Sequence, residues 1–136
     1  MGNETAPRPV VLVVDDEPLM HVVIRRCLER AGFELLHAED GVEAINVLSA
    51  APEQPCLVIT DMRMPRMGGA ELGRWVRSHY PSLPILYVSG YMDELPPIDG
   101  DGTCEALGKP FSSEALLDCV RELCKDVAEP RSGGRR

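Results

Sequence analysis

Short apolar runs that alternate with helix-length segments constrain this chain more than any other feature. Val10–Val14 is an uninterrupted buried-strand pattern, and residues 33–38, 56–60, 85–88 and 103–107 supply four further candidate strands. Between them the apolar residues recur at spacings of three and four: Leu19, Val22, Val23, Cys27, Leu28 and Ala31, then Val42, Ile45, Val47 and Leu48, then Leu72, Trp75 and Val76. A last helical set holds Leu116, Leu117, Val120, Leu123, Cys124 and Val127. Strict alternation with short connections predicts an α/β protein, a parallel sheet covered by helices on both faces. Right-handed crossovers leave the doubly wound topologies, of which the five-stranded order 2-1-3-4-5 is the expected one.

Local signals agree. Pro18 suits a first helical turn, Asp16 and Glu17 favour its positive end, and Gly32 supplies a stop. Gly68 and Gly69 open a helix that His79-Tyr80-Pro81 closes, and Ser112 is placed to cap the last one. Residues 91–102 carry prolines at 96 and 97 among acids and glycines, so the fourth helix of the pattern is expected to be short or missing. Residues 1–8 and 129–136 read as disordered tails around one domain at 9–128.

A length of 136 residues with 44% hydrophobic content suits a single core. The net charge of -8 argues against nucleic-acid binding. No apolar run approaches the roughly 20 residues that span a bilayer, and the N-terminus lacks a signal-peptide core, so a cytoplasmic chain without membrane contact is expected. Five cysteines, at 27, 56, 104, 119 and 124, form no C-x-x-C pair and suit neither a disulfide framework nor a zinc site. They read as small buried hydrophobes, and His21, His37 and His79 as surface or helix-packing residues.

The chemistry lies at the strand ends. The first strand runs into Asp15 and Asp16, the third into Asp61, the fourth into Ser89-Gly90, and Lys109 follows the fifth. Parallel neighbouring strands would gather these groups at one carboxyl edge, where open α/β sheets build their sites. Clustered carboxylates suit Mg2+, an oxygen-seeking cation, with Lys109 relieving part of their repulsion. A phosphoryl group there would be neutralised by the cation and Lys109 and could accept a hydrogen bond from Ser89. A carboxylate can itself become the nucleophile, and Asp61 is the best-placed one. Singly, each residue is as readily a helix cap or a solvated charge. Their joint occurrence at successive strand ends carries the reading.

Val14-Asp15-Asp16-Glu17-Pro18, Thr60-Asp61-Met62-Arg63-Met64-Pro65 with Met67-Gly68-Gly69, Val88-Ser89-Gly90-Tyr91 and Gly108-Lys109-Pro110-Phe111 together resemble the receiver domain of bacterial two-component response regulators, over roughly residues 9–127. The resemblance implies a flavodoxin-like fold and a phosphoacceptor, Asp61, that takes its phosphoryl group from a histidine kinase or phosphotransfer protein. It further implies magnesium held by Asp15, Asp16, Asp61 and the Arg63 backbone carbonyl, phosphate contacts from Ser89 and Lys109, and a cis Lys109-Pro110 bond. Met62, Arg63 and Gly90 would flank the phosphate, with bulky Arg63 and Tyr91 shielding it from water. An unidentified downstream protein would read the signal.

One departure stands out. The family usually places Phe or Tyr three residues before the lysine, and this chain has Ala106. With that aromatic relay missing, the switch is expected to run through Ser89, Gly90 and Tyr91 into the following loop. The chain could be a stand-alone regulator or the receiver of a hybrid kinase; no output domain fits in the residues after Val127, so any output is expected from a partner protein or from outside this chain. Two other readings compete: a magnesium-dependent phosphohydrolase with an aspartyl nucleophile, and a degenerate receiver serving as a binding scaffold.

Overall fold

The computed structural model describes residues 8–90 and 104–124. Over them the chain forms β1 (Val10–Val14), α1 (Pro18–Arg30), β2 (Glu34–Ala38), α2 (Gly41–Ala50), β3 (Leu57–Asp61), α3 (Gly69–His79), β4 (Ile85–Ser89), β5 (Cys104–Gly108) and α4 (Ser113–Leu123). All strand pairings are parallel, in the order β2-β1-β3-β4-β5. The expected topology is therefore the observed one. The expectation of a short or missing helix between β4 and β5 falls on residues 91–103, and the expected tails fall largely on 1–7 and 125–136, all outside the described residues.

Strand residues alternate between two cores. Val11 and Val13 join Leu57, Ile59, Leu86 and Val88 beneath α1 and α4, whereas Leu12 and Val14 join Val58, Ile85 and Tyr87 beneath α2 and α3. Val11 to Val14 are each 0% exposed, which is why the first strand reads as continuous apolar sequence and not as an alternating one. Losing the Leu12 side chain to alanine typically costs about 2–5 kcal/mol. Close approach also explains a glycine inside α3: a Cβ on Gly73 would lie 2.9 Å from Cζ of the buried Tyr87 ring. Ser112 caps α4 as expected, its Oγ accepting from the Ala115 N–H at 3.0 Å.

Helix α1 departs from its expected orientation. Leu19, Val22 and Val23 are 70%, 43% and 46% exposed. The inward residues are His21, Ile24, Cys27 and Leu28. Two stripes with three-and-four spacing coexist on this helix, and the one containing a histidine is buried. That is tolerable because the His21 ring packs on His37, with centroids 3.7 Å apart, and its Nε2 lies 3.2 Å from an Arg25 guanidinium nitrogen. The Nδ1 atom has no hydrogen-bond partner among the described residues.

Burial, then the neighbouring His37 and Arg25, hold the His21 imidazole below its ordinary pKa. The folded chain keeps the ring neutral while the unfolded chain protonates it near pH 6.5, so this residue withdraws stability as pH falls below that value. Between pH 7 and pH 5 the melting temperature of His21→Phe should therefore fall less than that of the wild type. Parallel falls, followed by circular dichroism, would show that His21 titrates alike in both states.

Candidate functional site

Strand register assembles the site. Val14 of β1 lies beside Thr60 of β3, so the next residues, Asp15 and Asp61, leave the sheet as neighbours. Asp61 in turn pairs with Val88, and Ser89 pairs with Gly108, the residue before Lys109. The Lys109 N–H donates to the Ser89 carbonyl at 2.8 Å, extending the ladder one step beyond the strands. Lys109-Pro110 is cis.

The three carboxylates converge: one oxygen from each of Asp15, Asp16 and Asp61 lies within 4.8 Å of the others. Asp15 is buried, Asp61 partly buried and Asp16 exposed, so the cluster opens to solvent on one side. Lys109 Nζ lies 3.3 Å from Asp61 Oδ2. The other Asp61 oxygen accepts the Met62 N–H at 2.7 Å, which orients the carboxylate. Asp15 Oδ1 accepts the Glu17 N–H at 2.8 Å, and the Asp15 amide is tied to Ala38 at 3.0 Å.

Burial pushes the Asp15 carboxyl up to about 6; the Glu17 N–H offsets part of this, Asp61 adds repulsion, Lys109 attracts, and Asp16 adds further repulsion. One lysine thus faces three acids. The donors are all hard oxygens, the set that magnesium prefers. This donor chemistry fits a divalent cation held by Asp15, Asp16 and Asp61.

The remaining sequence-derived candidates are placed unevenly. Ser89 is buried at the end of β4, and Gly90 is exposed beside it. Arg63 is exposed, just beyond Asp61. The Met62 side chain belongs to the core beneath α2 and α3, so what Met62 offers the site is its backbone N–H. Ala106 is partly buried on β5, in register with Tyr87 of β4. Tyr91 lies outside the described residues.

Asp40 and Arg66 are not singled out by the sequence as supports of the site. Asp40 caps α2 by accepting the Glu43 N–H at 2.9 Å, and the same carboxylate receives Arg66 Nε at 2.7 Å and Arg66 NH2 at 3.2 Å. The Glu43 N–H, and then the Arg66 guanidinium, hold the Asp40 carboxyl below the usual range. Arg66 itself sits at φ 65°, a left-handed conformation that costs a non-glycine residue about 1–2 kcal/mol. The bidentate pair, together with the Gly41 N–H on the Met67 carbonyl at 2.9 Å, pins the loop that follows Asp61 onto the start of α2. Gly69 brings α3 against the same segment: a Cβ there would lie 3.1 Å from both Asp61 C and Met62 Cα. Asp40 followed three residues later by Glu43 is a legible capping signal. The partner of Arg66, 26 residues away, has no local signal.

Comparison with known proteins agrees with this arrangement. The response regulator receiver domain family matches residues 11–121. The response regulator MprA of Mycobacterium sp. (strain KMS) is 36% identical over 118 residues, covering 85% of this chain and 50% of that protein. The sensor histidine kinase CheAY of Helicobacter pylori is 30% identical over 120 residues, 85% of this chain and 15% of that protein. The chain thus spans half or less of the length of these curated relatives. Among solved structures, the response regulator TrrA from Thermotoga maritima, in complex with Mg(2+)-BeF, superposes with a TM-score of 0.75 at 28% identity, covering 85% of this chain and 98% of that one. A parallel sheet in this strand order, three acids and a lysine at its carboxyl edge, and a family match over most of the chain lead to one conclusion: the chain belongs to the response regulator receiver domain family.

Proposed function

We propose that this chain is a phosphoacceptor switch in which Asp61 takes a phosphoryl group from the phosphohistidine of a histidine kinase or phosphotransfer protein. The observation that carries the reading is the Asp61 carboxylate, held by the Met62 N–H and facing Lys109 at 3.3 Å inside a cluster of three acids. An Asp61 oxygen attacks phosphorus while the bond to the donor's imidazole nitrogen breaks, and the imidazole leaves with the electron pair. Charge on the transferring oxygens is met by the Lys109 ammonium and by a hydrogen bond from Ser89. Mg2+, when held by Asp15, Asp16, Asp61 and the Arg63 carbonyl, supplies the remaining neutralisation. The Mg(2+)-BeF bound to TrrA supports this assignment.

The product is an acyl phosphate, one per chain, so the protein acts as a stoichiometric acceptor and not as a turnover enzyme. Intact mass after incubation with acetyl phosphate and magnesium should rise by one phosphoryl group in the wild type and stay unchanged in Asp61→Asn. Equal gain in both would remove Asp61 as the acceptor. Retained phosphate with continuous hydrolysis of a small phosphate ester would instead identify a phosphohydrolase.

Metal binding should depend on pH through Asp15. Its carboxyl must lose a proton to ligate, and in the metal-free fold that proton is held up to about 6. Magnesium affinity, measured by calorimetry, should fall about tenfold between pH 7 and pH 5. An affinity constant over that window would show that Asp15 is ionised throughout.

The donor protein must reach Asp61 across the start of α1, and here Leu19, Val22 and Val23 present an apolar face next to Asp16. An exposed apolar group beside a reactive acid suits docking of a partner helix. Leu19→Glu combined with Val22→Glu should slow phosphotransfer from a histidine-phosphorylated donor domain at least about tenfold, the change expected for losing roughly 1.4 kcal/mol of docking. Phosphorylation by acetyl phosphate should be unaffected. Equal slowing with both donors would place the effect in the site and not in docking.

A further inference from the structure

The edge of the sheet opposite the acidic site carries a second group of reactive atoms. Cys56 immediately precedes β3, and Cys124 caps the end of α4; both are free thiols, and their sulfurs are 3.3 Å apart across 68 residues of sequence. Each is mounted on fixed backbone. The Cys56 N–H donates to the Val10 carbonyl at 2.8 Å and the Cys124 N–H to the Val120 carbonyl at 2.8 Å. The Cys124 thiol also points at the Cys56 carbonyl, at 3.5 Å. A disulfide bond is about 2.05 Å long, so closure needs the sulfurs to approach by only about 1.3 Å. We infer that Cys56 and Cys124 form a reversible, peroxide-sensitive disulfide that fastens the end of α4 to the start of β3.

The two thiols divide the labour. Cys56 is partly exposed and therefore within reach of a small oxidant, whereas Cys124 is 2% exposed and sits directly behind it. The hydrogen bond from Cys124 lowers the Cys56 pKa against the opposing effect of burial, favouring the thiolate that attacks oxidants. Cys124 is pushed up first by its hydrogen bond to Cys56, then by burial and by the Cys56 charge. Once the Cys56 sulfur is oxidised and no longer an anion, its charge no longer opposes ionisation of Cys124, although burial still does. Two of the other thiols are less suited. Cys119 is pushed up to about 11 by burial and then by the Glu105 charge, while Cys27 is buried with its Sγ 3.7 Å from the Ser113 carbonyl.

The chemistry balances with a hydroperoxide as oxidant. The Cys56 thiolate attacks one peroxide oxygen, the O–O bond breaks, and hydroxide or alkoxide leaves and takes a proton, giving a sulfenic acid. Cys124 sulfur then attacks the Cys56 sulfur, the S–O bond breaks, and the departing hydroxide takes the Cys124 proton and leaves as water. Two thiols lose two electrons, and hydrogen peroxide becomes two waters. A dithiol reductant reverses the bond.

Titration of the whole chain with hydrogen peroxide, read by intact mass and by mapping of thiol-blocked peptides, tests the inference. The wild type should lose the mass of two hydrogens, with Cys56 and Cys124 in one linked peptide, and dithiothreitol should restore it. Cys124→Ser should stop at an oxygen-bearing Cys56, and Cys56→Ser should not form the bond. The oxidised wild type should also melt at least about 5 °C higher than the reduced protein, because the bond closes a long loop in the unfolded chain. No loss of two hydrogens in the folded wild type, a linked peptide joining any other pair, or the same loss in either variant would overturn it. The peptide map of the wild type decides even if a variant fails to fold.

Discussion

A sheet buried on both faces leaves only its edges for charge. The central strands β1, β3 and β4 are almost wholly buried because α1 and α4 cover one face and α2 and α3 the other. An ionised group placed mid-strand would be cut off from water at a cost of several kcal/mol. The carboxyl ends are where backbone pairing stops and side chains regain solvent. Parallel strands put every such end on the same side, so Asp15, Asp61, Ser89 and Lys109 meet there without any long-range feature beyond the register itself.

Crowding acids at one edge creates a second constraint. Burial first, and then repulsion from Asp61 and Asp16, holds the Asp15 proton to about 6, and the surrounding structure must keep the repelling groups in place. It does so from outside the cluster. The Asp40–Arg66 pair and the Gly41 amide pin the loop after Asp61, and the absence of a side chain at Gly69 lets α3 close against it. These contacts touch neither a cation nor a phosphoryl group, yet they fix the Met62 amide that orients the Asp61 carboxylate.

The opposite edge of the sheet has no such electrostatic demand, and sulfur replaces oxygen there. Cys56 immediately precedes the strand that Asp61 ends, so β3 has a carboxylate of the acidic cluster at one terminus and a thiol beside the other. The apolar stripe of Leu19, Val22 and Val23 adds a third surface, adjacent to the acids.

Much was legible along the chain because it is written in local periodicity. Continuous apolar runs marked strands buried on both faces, three-and-four spacing marked helices, and the residues at the strand ends marked the acids and the lysine. Ser112 announced its cap. What periodicity could not decide is which of two apolar stripes on α1 faces the sheet; burial of Ile24, Cys27 and Leu28 in the core settled that, and left Leu19, Val22 and Val23 outside. It also could not show that Met62 turns its side chain into the core, that Arg66 reaches Asp40, or that Cys56 meets Cys124. Element types follow from the spacing of apolar residues, which neighbouring side chains determine among themselves. Pairings between residues 26 or 68 positions apart follow from the sheet's register and the crossover of its helices, and only the folded chain brings those atoms together.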